Sequence, residues 1–309
     1  MRILYVDHAL HQKTKSTAFF HKLLLDRGEV DCFWDAKTWC GDGKSDFSEE
    51  LLDQYDLIVF FQSEGVLNHI LKFGRSKLPH MTFIPMYDSA ASMPDSFWQS
   101  LPGNVRILNF SSTLHHHVVA LGCHSFYSKY FIDPDCYPQC PYDTLSATFW
   151  WRLQRPNFRT VRKLTGRGKG FSKIHVHLAP DPGVSARLLD RFLMKCPIEI
   201  TYWSKEANSY LEHLSHSNVY FAPRMTEGIG MSFLEAMARG QAVAAVNAPT
   251  MCEYIEHGVN GWLYDPSNPS AIDFSDFRTI GEAARESIRS GFERWTNQIP
   301  RMLDWTCHH

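Results

Sequence analysis

Long apolar runs are missing from this 309-residue chain: the longest, Leu57 to Phe61 and Ala242 to Val246, hold five residues each. A bilayer-spanning helix needs about 20, so no such helix is expected. A surplus of one charge sign is also missing, with Lys+Arg 31 against Asp+Glu 33 and a formal net charge of -2. That balance argues against a dedicated nucleic-acid binder, which concentrates basic residues in large excess. Met1 to Val6 lacks the long apolar core of a secretory signal, because Asp7 follows only four apolar residues. The expected location is cytoplasmic, with peripheral association at the inner face of the membrane left open. The 8 cysteines are scattered through a chain large enough to build a core without staples, so free thiols are expected. Internal repeats are absent too, which excludes solenoids and propellers.

What is present is punctuation of the βαβ kind. Apolar runs rich in β-branched and aromatic residues recur at Ile3–Val6, Val30–Trp34, Leu57–Phe61, Met81–Met86 and Val105–Phe110. A second series follows at Ala147–Trp151, Ile174–Leu178, Ile198–Tyr202, Val219–Ala222, Gln241–Val246 and Gly261–Tyr264. Runs with little alternation suit parallel strands covered on both faces. Two α/β domains are therefore expected, residues 1–140 and 141–309, with a linker near the proline-bearing stretch Phe131–Tyr142. The helical spacing of Ile288, Phe292, Trp295, Ile299 and Met302 predicts a terminal helix over Ile280–Met302 that packs back across the domains.

The segment Val219 to Ala238, VYFAPRMTEGIGMSFLEAMA, carries the chemistry. It reads as a strand, a glycine-rich loop and a helix, so that Gly228, Ile229, Gly230, Met231 and Ser232 present backbone amides and a positive helix end to a phosphate or sugar hydroxyl. Glu227 in the loop and Glu235 in the helix can flank one ligand. The polar stretch Asp7–Thr17, DHALHQKTKST, is expected as a loop before a helix at Ser16–Leu25. Its place at the carboxyl end of the first strand makes His8, Lys13 and Lys15 candidates for an anionic acceptor or phosphate.

In EGIGMSFLEAMARG, Glu227 and Glu235 with seven residues between them resemble the signature of retaining GT-B glycosyltransferases, the group of glycogen and sucrose synthases. The downstream APTMCEYIEHGVNGWLYDP is similar to the matching segment of those enzymes. The resemblance implies two facing Rossmann-like domains, and transfer of a hexosyl group with retention from a nucleotide-diphosphate sugar to a glycan or lipid-linked acceptor. No cofactor or metal is implied. It further implies Glu227 on the sugar, Glu235 on the ribose, and Arg152 with Arg155 in FWWRLQRPNF on the diphosphate. One of His115, His116 and His117 is implied over the transferred sugar; His116 stands for that role.

The chain departs from the pattern by lacking a Gly-Gly loop after the first strand and the usual Gly and Lys around the basic pair. Those departures motivate an alternative, a non-catalytic nucleotide-sugar-binding or scaffold subunit. His175 with His177, and Cys136 with Cys140, have the wrong spacing for a zinc site. Asp133-Pro134-Asp135 imitates a metal-binding D-x-D, but sits among prolines.

Overall fold

The short apolar runs become strands of two parallel sheets. The structure, a computed structural model, describes residues 1–38, 43–74, 78–186, 191–203 and 214–308. The first sheet contains β1 (Arg2–His8), β2 (Glu29–Asp35), β3 (Leu57–Phe61), β4 (His80–Ile84), β5 (Val105–Asn109) and β6 (Ser125–Tyr127). Its order is β2-β1-β3-β4-β5-β6. The second contains β7 (Ser146–Trp151), β8 (Lys173–Leu178), β9 (Ile198–Tyr202), β10 (Val219–Phe221), β11 (Ala242–Val246) and β12 (Gly261–Tyr264), ordered β12-β11-β10-β7-β8-β9. Neighbouring strands are parallel throughout both sheets. The strand order reverses between β1 and β3 in one sheet and between β7 and β10 in the other, and open α/β sheets bind ligands at the carboxyl ends of strands flanking such a reversal.

The chain divides into two compact units, residues 1–129 with 295–309, and residues 130–294. In the first unit, Leu4, Val6, Ile58, Phe60, Phe83 and Ile107 join one core with the helix residues Leu67, Ile70, Leu114 and Val118. Ile3, Tyr5, Val59, Phe61 and Leu108 alternate with them and are buried as well. Phe61 there meets Phe20, and Phe110 meets Trp295, each with ring centroids 6.0 Å apart. Burial on both faces is why the strands read as unbroken apolar runs. Each fully buried large side chain contributes about 1.5–3 kcal/mol.

Several helices position functional side chains. The stretch expected as a polar loop instead forms α1 (Ala9–Thr14), closed by Lys15 at φ 58, before α2 (Ala18–Leu25). Further on come α3 (Ser112–Ala120), α4 (Phe158–Leu164), α5 (Met231–Ala238) and the 31-residue α6 (Phe277–Cys307). α6 buries Ile280, Ala284 and Ile288 in the second unit and Trp295, Met302 and Leu303 in the first. It comes close to the second unit through glycine: a Cβ on Gly281 would lie 2.2 Å from the Gly240 carbonyl oxygen.

The proline-rich stretch expected as a linker lies inside the second unit, packed against α6. Arg285 donates to the carbonyls of Tyr137 at 3.0 Å, Pro134 at 3.1 Å and Ala238 at the end of α5. Asp133 accepts the Asp135 amide at 2.9 Å, and Asp135 pairs with Arg289 at 3.3 Å, so this D-x-D serves a turn. No described helix is long and apolar enough to cross a membrane, and the seven described cysteines are free thiols.

Candidate functional site

In the second unit, β10 and β7 are neighbours at the strand-order reversal, so the loops leaving them share one edge of the sheet. The loop after β10 turns into α5 through Gly230, whose φ of 87 and ψ of 47 are left-handed. A Cβ on Gly230 would lie 1.9 Å from the Phe233 ring. Only glycine satisfies both conditions. The first-turn amides of Met231 and Ser232 have no intrahelical acceptor, the general state of helix starts, and they open beside Gly228 and Ile229.

Glu227 is buried, with its Oε2 3.5 Å from Arg224 Nη1. Its backbone carbonyl accepts the hydroxyl of buried Thr250 at 2.6 Å, and Thr250 itself sits at φ 71. Thr250 therefore anchors the glycine loop from the segment after β11, a role that no pattern in the sequence signals. Glu235, the fifth residue of α5, is half-buried. Burial raises its carboxyl above the ordinary range, and Arg239 partly offsets this.

The basic residues after β7 diverge. Arg152 does not join Arg155: its Nε donates to both oxygens of Asp181, at 2.8 and 3.0 Å, and its guanidinium lies over Trp150. The carboxylate takes up the cation expected on the diphosphate. Arg155 is exposed and lines a cleft of about 240 Å³ with Arg159, Lys163, Met225, Tyr264 and Ser267. Met225 belongs to the loop after β10, so this cleft adjoins the loop bearing Glu227. Three cations line it and no carboxylate does, which suits an anionic ligand. Arg159 and Lys163 were not among the expected residues; their signal is their own four-residue spacing, which sets both on one face of α4.

In the first unit, His8 and Asp7 are buried at the end of β1, while Lys13 and Lys15 are exposed on and just after α1. Burial pushes the His8 imidazole down to about 4, with neighbouring His11 adding to the effect. Side-chain nitrogen and oxygen atoms of Asp7, His8 and His11 lie within 4.8 Å of one another. The three histidines of α3 point to separate partners. His115 bonds Ser125, exposed His116 bonds the Ser112 carbonyl at 2.7 Å, and His117 pairs with Asp95. His175 and His177 both reach the Thr201 hydroxyl, at 2.8 and 2.9 Å.

Residues 200–273 match the family described as Glycosyl transferases group 1. Among solved structures, the chain is similar to the sucrose-phosphate synthase of Thermosynechococcus elongatus, at 13% identity and a TM-score of 0.71 over 98% of each chain. It is also similar to HepE of Anabaena, solved with UDP and glucose, at 14% identity and a TM-score of 0.63 over 98% of this chain and 99% of that one. A glycosyltransferase of Rickettsia africae gives 13% identity and a TM-score of 0.66 over 98% of each chain. At these identities the likeness is one of fold, a pair of Rossmann-like α/β domains. No curated protein sequence matches the chain.

Proposed function

We propose that this chain is a glycosyltransferase that moves a hexosyl group, with retention and without a metal, from a nucleotide-diphosphate sugar to a hydroxyl of a glycan or lipid-linked acceptor. The observation that carries this reading is the Gly230 turn into α5, inside the matched residues 200–273, beside an acid-free cleft of three cations at the strand-order reversal of the second sheet. The α5 amides and Arg155, Arg159 and Lys163 hold the diphosphate and stabilise the charge it gains as the sugar departs. Glu227 takes sugar hydroxyls and Glu235 the ribose. UDP, the nucleotide in the HepE structure, is the first base to try.

In a same-face displacement the departing diphosphate can share the acceptor proton, so no metal-bound water is needed. The first unit supplies the acceptor site, from which His8, Lys13 and Lys15 are drawn. The engagement of Arg152 by Asp181 favours the scaffold alternative over catalysis at one position only, since three other cations remain.

A panel of nucleotide sugars in a thermal-shift assay, followed by measurement of nucleoside diphosphate release with candidate acceptors, tests the reading. The expected result is one stabilising donor, turned over in the presence of excess EDTA, with the product keeping the donor's anomeric configuration by NMR. Binding without release under every acceptor would establish the scaffold alternative, and an absolute divalent-ion requirement would remove the metal-free course.

A further inference from the structure

Charge is unevenly spread along this chain. Residues 152–203 carry eleven Lys and Arg against three Asp and Glu, although the whole chain has a formal net charge of -2. Two of those three acids are already committed: Asp181 pairs with Arg152 at 2.8 Å, and Glu199 with Lys173 at 3.1 Å. Lys163, Arg167, Lys169, Arg191 and Lys195 are exposed, and none of them has an ion-pair partner among the described residues.

The fold gathers most of these cations at one edge of the second sheet. α4 carries the chain from the carboxyl end of β7 back to the amino end of β8, and a single 3-10 turn, Arg191–Leu193, precedes the amino end of β9. Here a cleft of about 460 Å³ is lined by Arg162, Lys163, Arg167 and Lys195, with Gly166 and Leu193, and by no acid among the described residues. Lys163 alone borders the cleft of Arg155 as well. The rest of the patch stands at the opposite edge of the sheet from the strand ends that hold ligands.

The patch is held in shape by backbone. The Arg167 amide donates to the Arg162 carbonyl at 2.8 Å, and the Lys195 amide donates to the Arg167 carbonyl at 2.7 Å. Gly168 follows at φ 79, where a Cβ would strike Cys196 Sγ. The loop after α4 and the segment entering β9 are thereby joined, and their cations share one surface. On the same turn Phe192 is 76% exposed, the most of any large apolar side chain among the described residues, and Leu193 is 41% exposed. A small soluble anion would use the cations and leave Phe192 in water. An anionic bilayer uses both features, because its headgroups attract the cations while apolar side chains enter the boundary beneath them.

We propose that this face of the second unit docks the protein on an anionic lipid bilayer, with Phe192 and Leu193 entering at headgroup depth and Arg167, Arg191 and Lys195 against the lipid phosphates. Neither signal alone gives firm attachment, and together they do. The chain lies on the membrane, in keeping with the lack of any described helix that could cross one. The inference stands apart from the transfer reading, since binding is measured without turnover.

Co-sedimentation of the full chain with vesicles tests it, comparing phosphatidylcholine alone with an equal mixture of phosphatidylcholine and phosphatidylglycerol. The chain should pellet with the mixed vesicles only, and added salt should release it. Phe192→Ser should weaken binding roughly tenfold, as expected when a partly inserted phenyl ring is lost. Arg167→Glu with Lys195→Glu should abolish it, whereas Arg167→Lys with Lys195→Arg should retain it; melting temperatures should match the wild type in all three. A cysteine at position 192 carrying an environment-sensitive dye should shift its emission to the blue on mixed vesicles. No pelleting with mixed vesicles would overturn the proposal, as would pelleting that neither Phe192→Ser nor the double charge reversal alters. Release of the bound chain by inorganic phosphate at constant ionic strength would make the cleft a phosphate site instead. Tighter binding to polyglutamate than to the vesicles, unaffected by Phe192→Ser, would assign the face to an acidic protein.

Discussion

Gly230 shows how narrow the tolerance of the site is for a single residue. Its left-handed backbone and the Phe233 ring 1.9 Å from a would-be Cβ act together, so Gly230→Ala should cost about 1–3 kcal/mol of stability through overpacking. Denaturant unfolding reads this directly, and donor affinity should fall with it because the α5 amides move. Glu235→Gln is a quieter change that should weaken donor binding by about 1–3 kcal/mol, since a neutral amide is a poorer acceptor for ribose hydroxyls. Because burial raises the Glu235 carboxyl, wild-type affinity should decline on acidification sooner than an ordinary glutamate allows; isothermal titration across pH measures both effects. Glycine, loop and helix were legible in the sequence because their spacing is local. The diversion of Arg152 to Asp181, 29 residues on, was not, since the partner lies on the neighbouring strand's loop.

Elements were legible to the degree that both their faces are buried. β3 and β11 appear as unbroken apolar runs, and their observed bounds coincide with those runs almost to the residue. β6 escaped because it is three half-buried residues at a sheet edge, too short to show any period. α1 escaped because none of its six residues is buried, which leaves no apolar stripe to read. α6 displays its stripe, and Gly281 marks where the stripe touches backbone. Gly281→Ala places a methyl against the Gly240 carbonyl, which cannot swing aside as a flexible side chain would. A loss of about 1–3 kcal/mol is expected, seen as a lower urea midpoint with an unchanged slope.

Acid should loosen the whole molecule through one histidine in each unit. Burial lowers both His8 and His177 to about 4, below the unfolded value of about 6.5. Between those limits the unfolded chain binds more protons, so the stability each neutral ring contributes is complete above pH 6.5 or so and drains away as pH falls toward 4. The slope is about 1.4 kcal/mol per pH unit for each histidine, so urea unfolding at pH 7 and pH 5 should separate clearly, and His177→Asn should flatten the difference. The sharing of α6 between the units bears on the order of events at the ribosome. The second unit is one continuous stretch and can close as soon as residue 294 has emerged, whereas the first, though begun earlier, waits for Trp295, Met302, Leu303 and the Thr306 carbonyl that accepts the Thr82 hydroxyl at 3.0 Å. The half made first is finished last, so nascent chains stalled before residue 295 should expose the first unit to protease while the second already resists it.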